Sequence, residues 1–183
     1  MKILVVVDMQ KDFIDGSLGT KEAQAIVPNV KKKIEEAVQN NDVIIFTRDT
    51  HYAGYLNTKE GKKLPVKHCI SGTDGWRIPT CLEPPTGYTN YWVQDKYTFG
   101  LYELARELYR KFHDKFAAGE ITEIELVGLC TDICVVSNAL LLKSFFYEDC
   151  EISVDATCCA GVTPETHEAA LKTMEMCQIN VKR

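Results

Sequence analysis

Three side chains capable of covalent chemistry each close their own apolar run. Cys134 lies beyond Ile124-Glu-Leu-Val-Gly-Leu129, in the segment Gly128-Leu-Cys-Thr-Asp-Ile-Cys134; Asp8 follows Ile3-Leu-Val-Val-Val7; Lys96 follows Tyr91-Trp-Val-Gln-Asp95. A thiol attacks as the thiolate, which a helix amino terminus or a nearby cation favours. A carboxylate can take the thiol proton and later deliver it to a leaving amine. An ammonium beside that carboxylate keeps it ionised. The pair Thr131-Asp132 is expected to open a helix, with Cys134 in or near its first turn and backbone N–H groups free for an oxyanion. Each residue also has a plainer reading: a core thiol, a loop-capping Asp, a surface Lys. The three together are more specific than any one.

A second constellation is Asp49-Thr-His51 followed by His68. Alternate positions of an extended segment project to one side, so Asp49 and His51 face together. A carboxylate and two imidazoles suit Zn, Fe or Mn, and Glu60 could supply a further oxygen. Surface histidines are the plainer alternative. His113 and His167 sit in charged helical stretches and are expected to be exposed. No phosphate-binding glycine motif is present; Gly16-Ser-Leu-Gly19 and Gly72-Thr-Asp-Gly75 read as turns.

Positioning these groups requires strands that end side by side. Strand patterns cover Lys2–Val7, Asp42–Thr47, Tyr91–Gln94, Glu123–Val127, Glu151–Val154 and Gln178–Val181. Helical patterns cover Ala25–Gln39, Leu101–Ala117, Cys134–Tyr147 and Glu165–Met176, with Pro28 read as an early-helix residue and Thr163-Pro164 as a helix start. The alternation predicts an α/β fold: a doubly wound, mainly parallel six-stranded sheet with helices on both faces. Ligands of such sheets bind beyond the carboxyl ends of the strands, where the strand order reverses. The segment from about 49 to 88 lacks a long periodic stretch, yet Trp76, Ile78 and Leu82 argue for an ordered excursion over that edge. One domain spanning 1–183 is expected.

A net charge of -5 argues against nucleic acid or an anionic membrane, and the cluster Lys31-Lys32-Lys33 is followed by Glu35-Glu36 on a helix face. No apolar stretch reaches the ~18 residues of a membrane span. Met1-Lys2-Ile3-Leu4 enters a strand at once rather than a signal peptide, so a cytoplasmic location is expected. Cys69, Cys81, Cys150, Cys158, Cys159 and Cys177 read as structural thiols rather than as disulfides or a zinc ribbon.

Five segments together resemble the isochorismatase-like hydrolase superfamily, in particular its cysteine amidases of the nicotinamidase type. They are Val7-Asp-Met-Gln-Lys-Asp-Phe13, Thr47-Arg-Asp-Thr-His51, Pro65-Val-Lys-His-Cys69 with Gly72-Thr, Lys96, and Gly128-Leu-Cys-Thr-Asp-Ile-Cys134. The resemblance implies a catalytic triad of Asp8, Lys96 and Cys134, with the N–H groups of Cys130 and Cys134 as oxyanion hole after a cis Leu129–Cys130 peptide. It further implies substrate contacts at Phe13 and Leu129, and one divalent metal, Zn first with Fe or Mn as alternatives, on Asp49, His51, His68 and Glu60. The expected reaction is hydrolysis of nicotinamide to nicotinate and ammonia through a thioester, in a homo-oligomer. The alternative is a metal-free cysteine hydrolase of another small amide or carbamoyl or ureido compound. Pro65 and Tyr97-Thr-Phe-Gly100 depart from the family pattern and leave the pocket wall open.

Overall fold

The computed structural model describes residues 1–183. Six strands form one all-parallel sheet: β1 (Lys2–Val7), β2 (Val43–Asp49), β3 (Tyr91–Lys96), β4 (Glu123–Leu129), β5 (Glu151–Ala160) and β6 (Asn180–Lys182), in the order β3-β2-β1-β4-β5-β6. The helices are α1 (Lys11–Ile14), α2 (Lys21–Gln39), α3 (Tyr102–Ala117), α4 (Val136–Phe145) and α5 (Pro164–Met176). The inner strands are apolar on both sides because both faces are covered. Ile3, Val5 and Val7 pack with Leu104 and Leu108 of α3, Ala139 of α4 and Leu171 of α5, whereas Leu4 and Val6 pack with Ile26, Val30 and Ile34 of α2. The strand order reverses between β1 and β4. Asp8 and the segment leading to Cys134 leave the sheet there.

Several boundaries move, each for a local reason. Helix α2 begins at Lys21, four residues before the pattern-based start, because the Thr20 hydroxyl accepts the Ala23 N–H at 3.0 Å. Pro28 therefore lies inside the helix rather than at its start. Strand β2 runs on to Asp49 and β3 to Lys96, and the register pairs those two residues. Strand β5 continues to Ala160 through an irregularity, where the Asp155 carboxylate accepts both the N–H and the hydroxyl of Thr157 at 3.0 and 2.6 Å. Helix α5 starts at Pro164 with Thr163 as cap, as the sequence predicts.

Between β2 and β3 the chain makes two short 3-10 turns, Tyr55–Asn57 and Thr80–Leu82, and a parallel bridge between His51 and Ile70. It is tied to the start of α1 by Lys11 N–H to Arg77 O, Asp12 N–H to Gly75 O, and Cys69 N–H to the Asp12 carboxylate at 2.7 Å. No helix is long and apolar enough to cross a membrane.

Candidate active site

Adjacent parallel strands end together, and that places the reactive groups. Gly128 pairs with Val7 at a φ of +117°, and a Cβ there would lie 2.1 Å from the Val7 carbonyl oxygen. Only glycine lets β4 approach β1 so closely. Asp8, the residue after Val7, takes a φ of +46°, a left-handed conformation uncommon for a non-glycine residue. Its carboxylate accepts the Thr47 hydroxyl at 2.7 Å, and its N–H reaches Thr47 O at 3.2 Å.

Lys96 is fully buried and joins the parts. Its Nζ stands 2.7 Å from Asp8 Oδ2, 3.5 Å from Cys134 Sγ and 3.5 Å from Asp49 Oδ1, and it donates to Thr98 O at 3.1 Å. Cys134 lies in a single π-helical turn, Thr131–Val135, rather than in the first turn of α4. That turn follows a cis peptide between Leu129 and Cys130. The Thr131-Asp132 pair does not cap it: the Asp132 carboxylate accepts the Val162 N–H instead, and Thr131 is buried against His167.

The charges run opposite to the simple expectation for Cys134. Burial, then the adjacent Asp8, pushes the thiol well above its ordinary pKa, and Lys96 opposes this without reversing it. The ammonium stands at the same 3.5 Å from the sulfur and from Asp49, with Asp8 closer at 2.7 Å. Burial likewise raises the Asp8 carboxyl against the pull of Lys96, with Asp49 adding to the rise. Burial works against the charge on Lys96, yet the adjacent carboxylates of Asp8 and Asp49 hold it firmly cationic. Burial thus displaces both Cys134 and Asp8 toward their neutral forms, and Lys96 opposes it at both.

Asp49, His51 and His68 are all buried and offer ligand atoms within 4.8 Å of one another. His51 Nε2 lies 2.9 Å from Asp49 Oδ2 without a well-aligned hydrogen bond to it or to any other group. His68 Nδ1 contacts Val66 O at 2.8 Å, which leaves Nε2 for ligation. Burial pushes the Asp49 carboxyl up, but His51 and Lys96 outweigh it and keep the group below the usual carboxylate range. An ionised carboxylate, an orphaned buried imidazole nitrogen and a second oriented imidazole fit a divalent transition metal. Glu60 Oε1 is 3.6 Å from His51 Nε2 and stands outside the three-residue cluster, more exposed than its members.

One cavity of about 360 Å³ connects the two groups. Cys134, Cys130, Asp49, His68 and Glu60 border it, and Phe13, Leu129, Ile133 and Phe99 make its walls largely apolar. A wider, open groove on α3 beside Tyr109 and Phe145 holds no thiol or imidazole.

The isochorismatase domain model matches residues 2–182. The chain belongs to the isochorismatase family. Among solved members, the nicotinamidase of Bacillus subtilis is 25% identical, with a TM-score of 0.81 over 100% of this chain and 99% of that one. A pyrazinamidase of Pyrococcus horikoshii, solved in complex with zinc, is 25% identical with a TM-score of 0.78, covering 100% and 98%. The N-carbamoylsarcosine amidase of Thermoplasma acidophilum is 26% identical with a TM-score of 0.76, covering 100% and 95%. The buried Asp/His/His group resembles the kind of site expected in the zinc-bound member of the family.

Several supporting residues escaped the sequence reading. Gln10, fully buried, donates to Asp49 O at 2.8 Å and Trp76 O at 2.9 Å and accepts the Asp49 N–H at 2.7 Å. Tyr55 packs its ring 4.5 Å from His51 and 5.0 Å from His68, between centroids. Asn138 accepts the Leu101 N–H at 2.9 Å and donates to Cys134 O at 2.7 Å, joining the loop after β3 to the cysteine turn. Gln10 lies two residues after Asp8 within Val7–Phe13, which is the signal that carries it; Tyr55 and Asn138 carry no local signal. His167 is only partly exposed and bonded to Thr131, not on an open helix face. Cys81 and Cys177 are exposed, unlike the buried Cys69, Cys158 and Cys159.

Proposed function

We propose that this isochorismatase-family hydrolase is a single-domain cysteine amidase that converts nicotinamide to nicotinate and ammonia. The observation that carries the reading is the shared cavity, with Cys134 and the Asp49/His68 edge of a metal-ligand cluster bordering one apolar space. Such a space suits a small aromatic amide held at both ends.

Cys134 Sγ attacks the carboxamide carbon as its proton passes to Asp8. The Lys96 ammonium, within 3.5 Å of Sγ and 2.7 Å of Asp8 Oδ2, stabilises the negative charge wherever it resides during that transfer. The N–H groups of Cys130 and Cys134 hold the oxyanion. Asp8 returns its proton to the departing ammonia, leaving a thioester on Cys134, and then accepts a proton from the water that hydrolyses it. Phe13 and Leu129 flank the ring. Asp49, His51 and His68, with Glu60 as neighbour, would hold a divalent metal, Zn first; when bound it supplies a Lewis-acidic anchor for the pyridine nitrogen, directly or through water.

Ammonia release from nicotinamide, pyrazinamide and ureido compounds, with and without chelator, tests this. Nicotinamide turnover that Cys134→Ala abolishes is the expected result. Fully metal-loaded protein that leaves nicotinamide intact but cleaves a ureido compound would replace the reading with the carbamoyl hydrolase alternative, which the similarity to N-carbamoylsarcosine amidase makes the comparison to run.

A further inference from the structure

We infer that His167 is a positioning residue for the turn that carries Cys134, holding it through an unprotonated Nδ1 that accepts the hydroxyl proton of Thr131. The inference rests on the reading of Cys134 as nucleophile and of this turn as oxyanion donor.

Thr131 opens the π turn and is fully buried; its hydroxyl lies 2.8 Å from His167 Nδ1. His167 comes from the first turns of α5, which can approach because Gly161 has no side chain. A Cβ at Gly161 would lie 2.9 Å from the His167 Cα, Cβ and N atoms. One residue on, Val162 N–H is held by both oxygens of Asp132, at 3.1 Å each. The entrance to α5 is therefore fastened to the cysteine turn at two points. Gly161 and Val162 border the same cavity as Cys130, Ile133 and Cys134.

A neutral imidazole has one accepting nitrogen, whereas an imidazolium has two donors and none that accepts. With Nδ1 accepting, the Nε2–H faces Glu168 Oε1, 3.9 Å away, and partial solvent. Protonation turns Nδ1 into a donor. The Thr131 hydroxyl must then accept, and its own proton loses its partner in a site closed to water. A buried donor without a partner is destabilising, so the turn yields. The charges facing the imidazole are Glu168 on α5, Asp132 on the turn and Arg183 beyond β6. Burial is the largest influence, and it holds the imidazole below its ordinary value against the pull of Glu168 and Asp132.

The experiment compares metal-loaded wild type, His167→Asn, His167→Leu and Thr131→Val, with kcat and KM measured separately across about pH 5 to 8. An asparagine Oδ1 accepts the hydroxyl proton without titrating, so His167→Asn is expected to retain kcat within about threefold near neutrality. As pH falls below 6.5 the kcat of wild type should drop progressively relative to that of His167→Asn, the ratio tending toward the about tenfold deficit expected of His167→Leu. His167→Leu should lower kcat about tenfold with KM within about threefold. An acid limb in His167→Asn identical to wild type, or unchanged kcat in His167→Leu, overturns the inference.

If no amide is hydrolysed, the functional reading fails, and NMR titration of the His167 ring still decides the structural one. The Thr131 hydroxyl bond favours neutral imidazole, so Thr131→Val should raise the His167 midpoint. An unmoved midpoint refutes the bond.

Discussion

Replacing Gln10 by Leu tests whether the metal-ligand cluster is held from behind. The two side chains are similar in size, so the change removes polarity with little change of volume. Three hydrogen bonds disappear, at 2.7, 2.8 and 2.9 Å, and they leave Asp49 N–H, Asp49 O and Trp76 O without those partners. At about 1 kcal/mol net for each bond, with a further penalty for unpaired buried groups, the apoprotein should lose about 3–4 kcal/mol of stability. Gln10 grips Asp49 on both sides of its peptide unit, so the carboxylate direction should also loosen. Outer partners of metal ligands typically contribute about 10–100-fold in affinity, and a loss in that range is expected. Chemical denaturation of apoprotein measures the first effect; zinc titration against a competing chelator measures the second. Stability lost with zinc affinity intact would mean that Gln10 only braces the 49–76 crossing, and the positioning argument would be refuted.

Thr47→Val removes the hydroxyl that donates to Asp8 at 2.7 Å; kcat for the amide should fall about tenfold, Thr47→Ser should restore it, and unchanged kcat would refute a positioning role. Asp49→Asn should weaken zinc binding by about 100-fold and Glu60→Gln by less than about tenfold, since Glu60 lies outside the cluster; equal losses in the chelator titration would make Glu60 a full ligand. Acid stability depends on the opposite edge of the sheet. Burial pushes the Glu123 carboxyl up, but hydrogen bonds from Lys182, Lys2 and Ser153 prevail and hold it at about 2. Because this folded pKa lies below the ordinary value of 4.5, the stabilisation is complete above that pH and is lost as pH falls toward 2. It is worth about 3 kcal/mol at most, and denaturant midpoints of Glu123→Gln should depend less on pH across that window than those of wild type. Gly128→Ala should abolish soluble folded protein, since its Cβ would lie 2.1 Å from the Val7 carbonyl oxygen; a thermal midpoint within about 2 °C of wild type would show that β1 and β4 can separate there.

The α/β order and the places of Asp8, Lys96 and Cys134 were legible because parallel strands are apolar runs, and each run ended in a group costly to bury. Asp49, His51 and His68 were legible as residue types, although β2 extends to Asp49 where the pattern stopped at Thr47. Strand β5 was cut short at Val154 because Asp155 and Thr157 satisfy each other locally and the chain stays extended. The start of α2 is not legible in the sequence because a lone threonine cap is a weaker signal than a proline, which favours the first helical turn. Such errors arise where one side chain's hydrogen bond decides a boundary.

The protonation of Cys134 was illegible for a different reason. A cation near a thiol lowers its pKa only if the cation is free to act, and whether it is free depends on what else surrounds it. Here Lys96 contacts two carboxylates as well as the sulfur, and all three catalytic candidates are buried. Desolvation penalises the isolated thiolate, and the ammonium, which Asp8 and Asp49 share, opposes this without reversing it. On the proposed reading of Cys134 as nucleophile, the arrangement favours attack coupled to proton transfer, in which negative charge moves from carboxylate to sulfur to oxyanion without its total changing. A site with that property requires an acceptor of raised basicity and a turn that keeps its N–H groups in place. Burial of Asp8 supplies the acceptor, and the bonds from Thr131 and Asn138 constrain the turn.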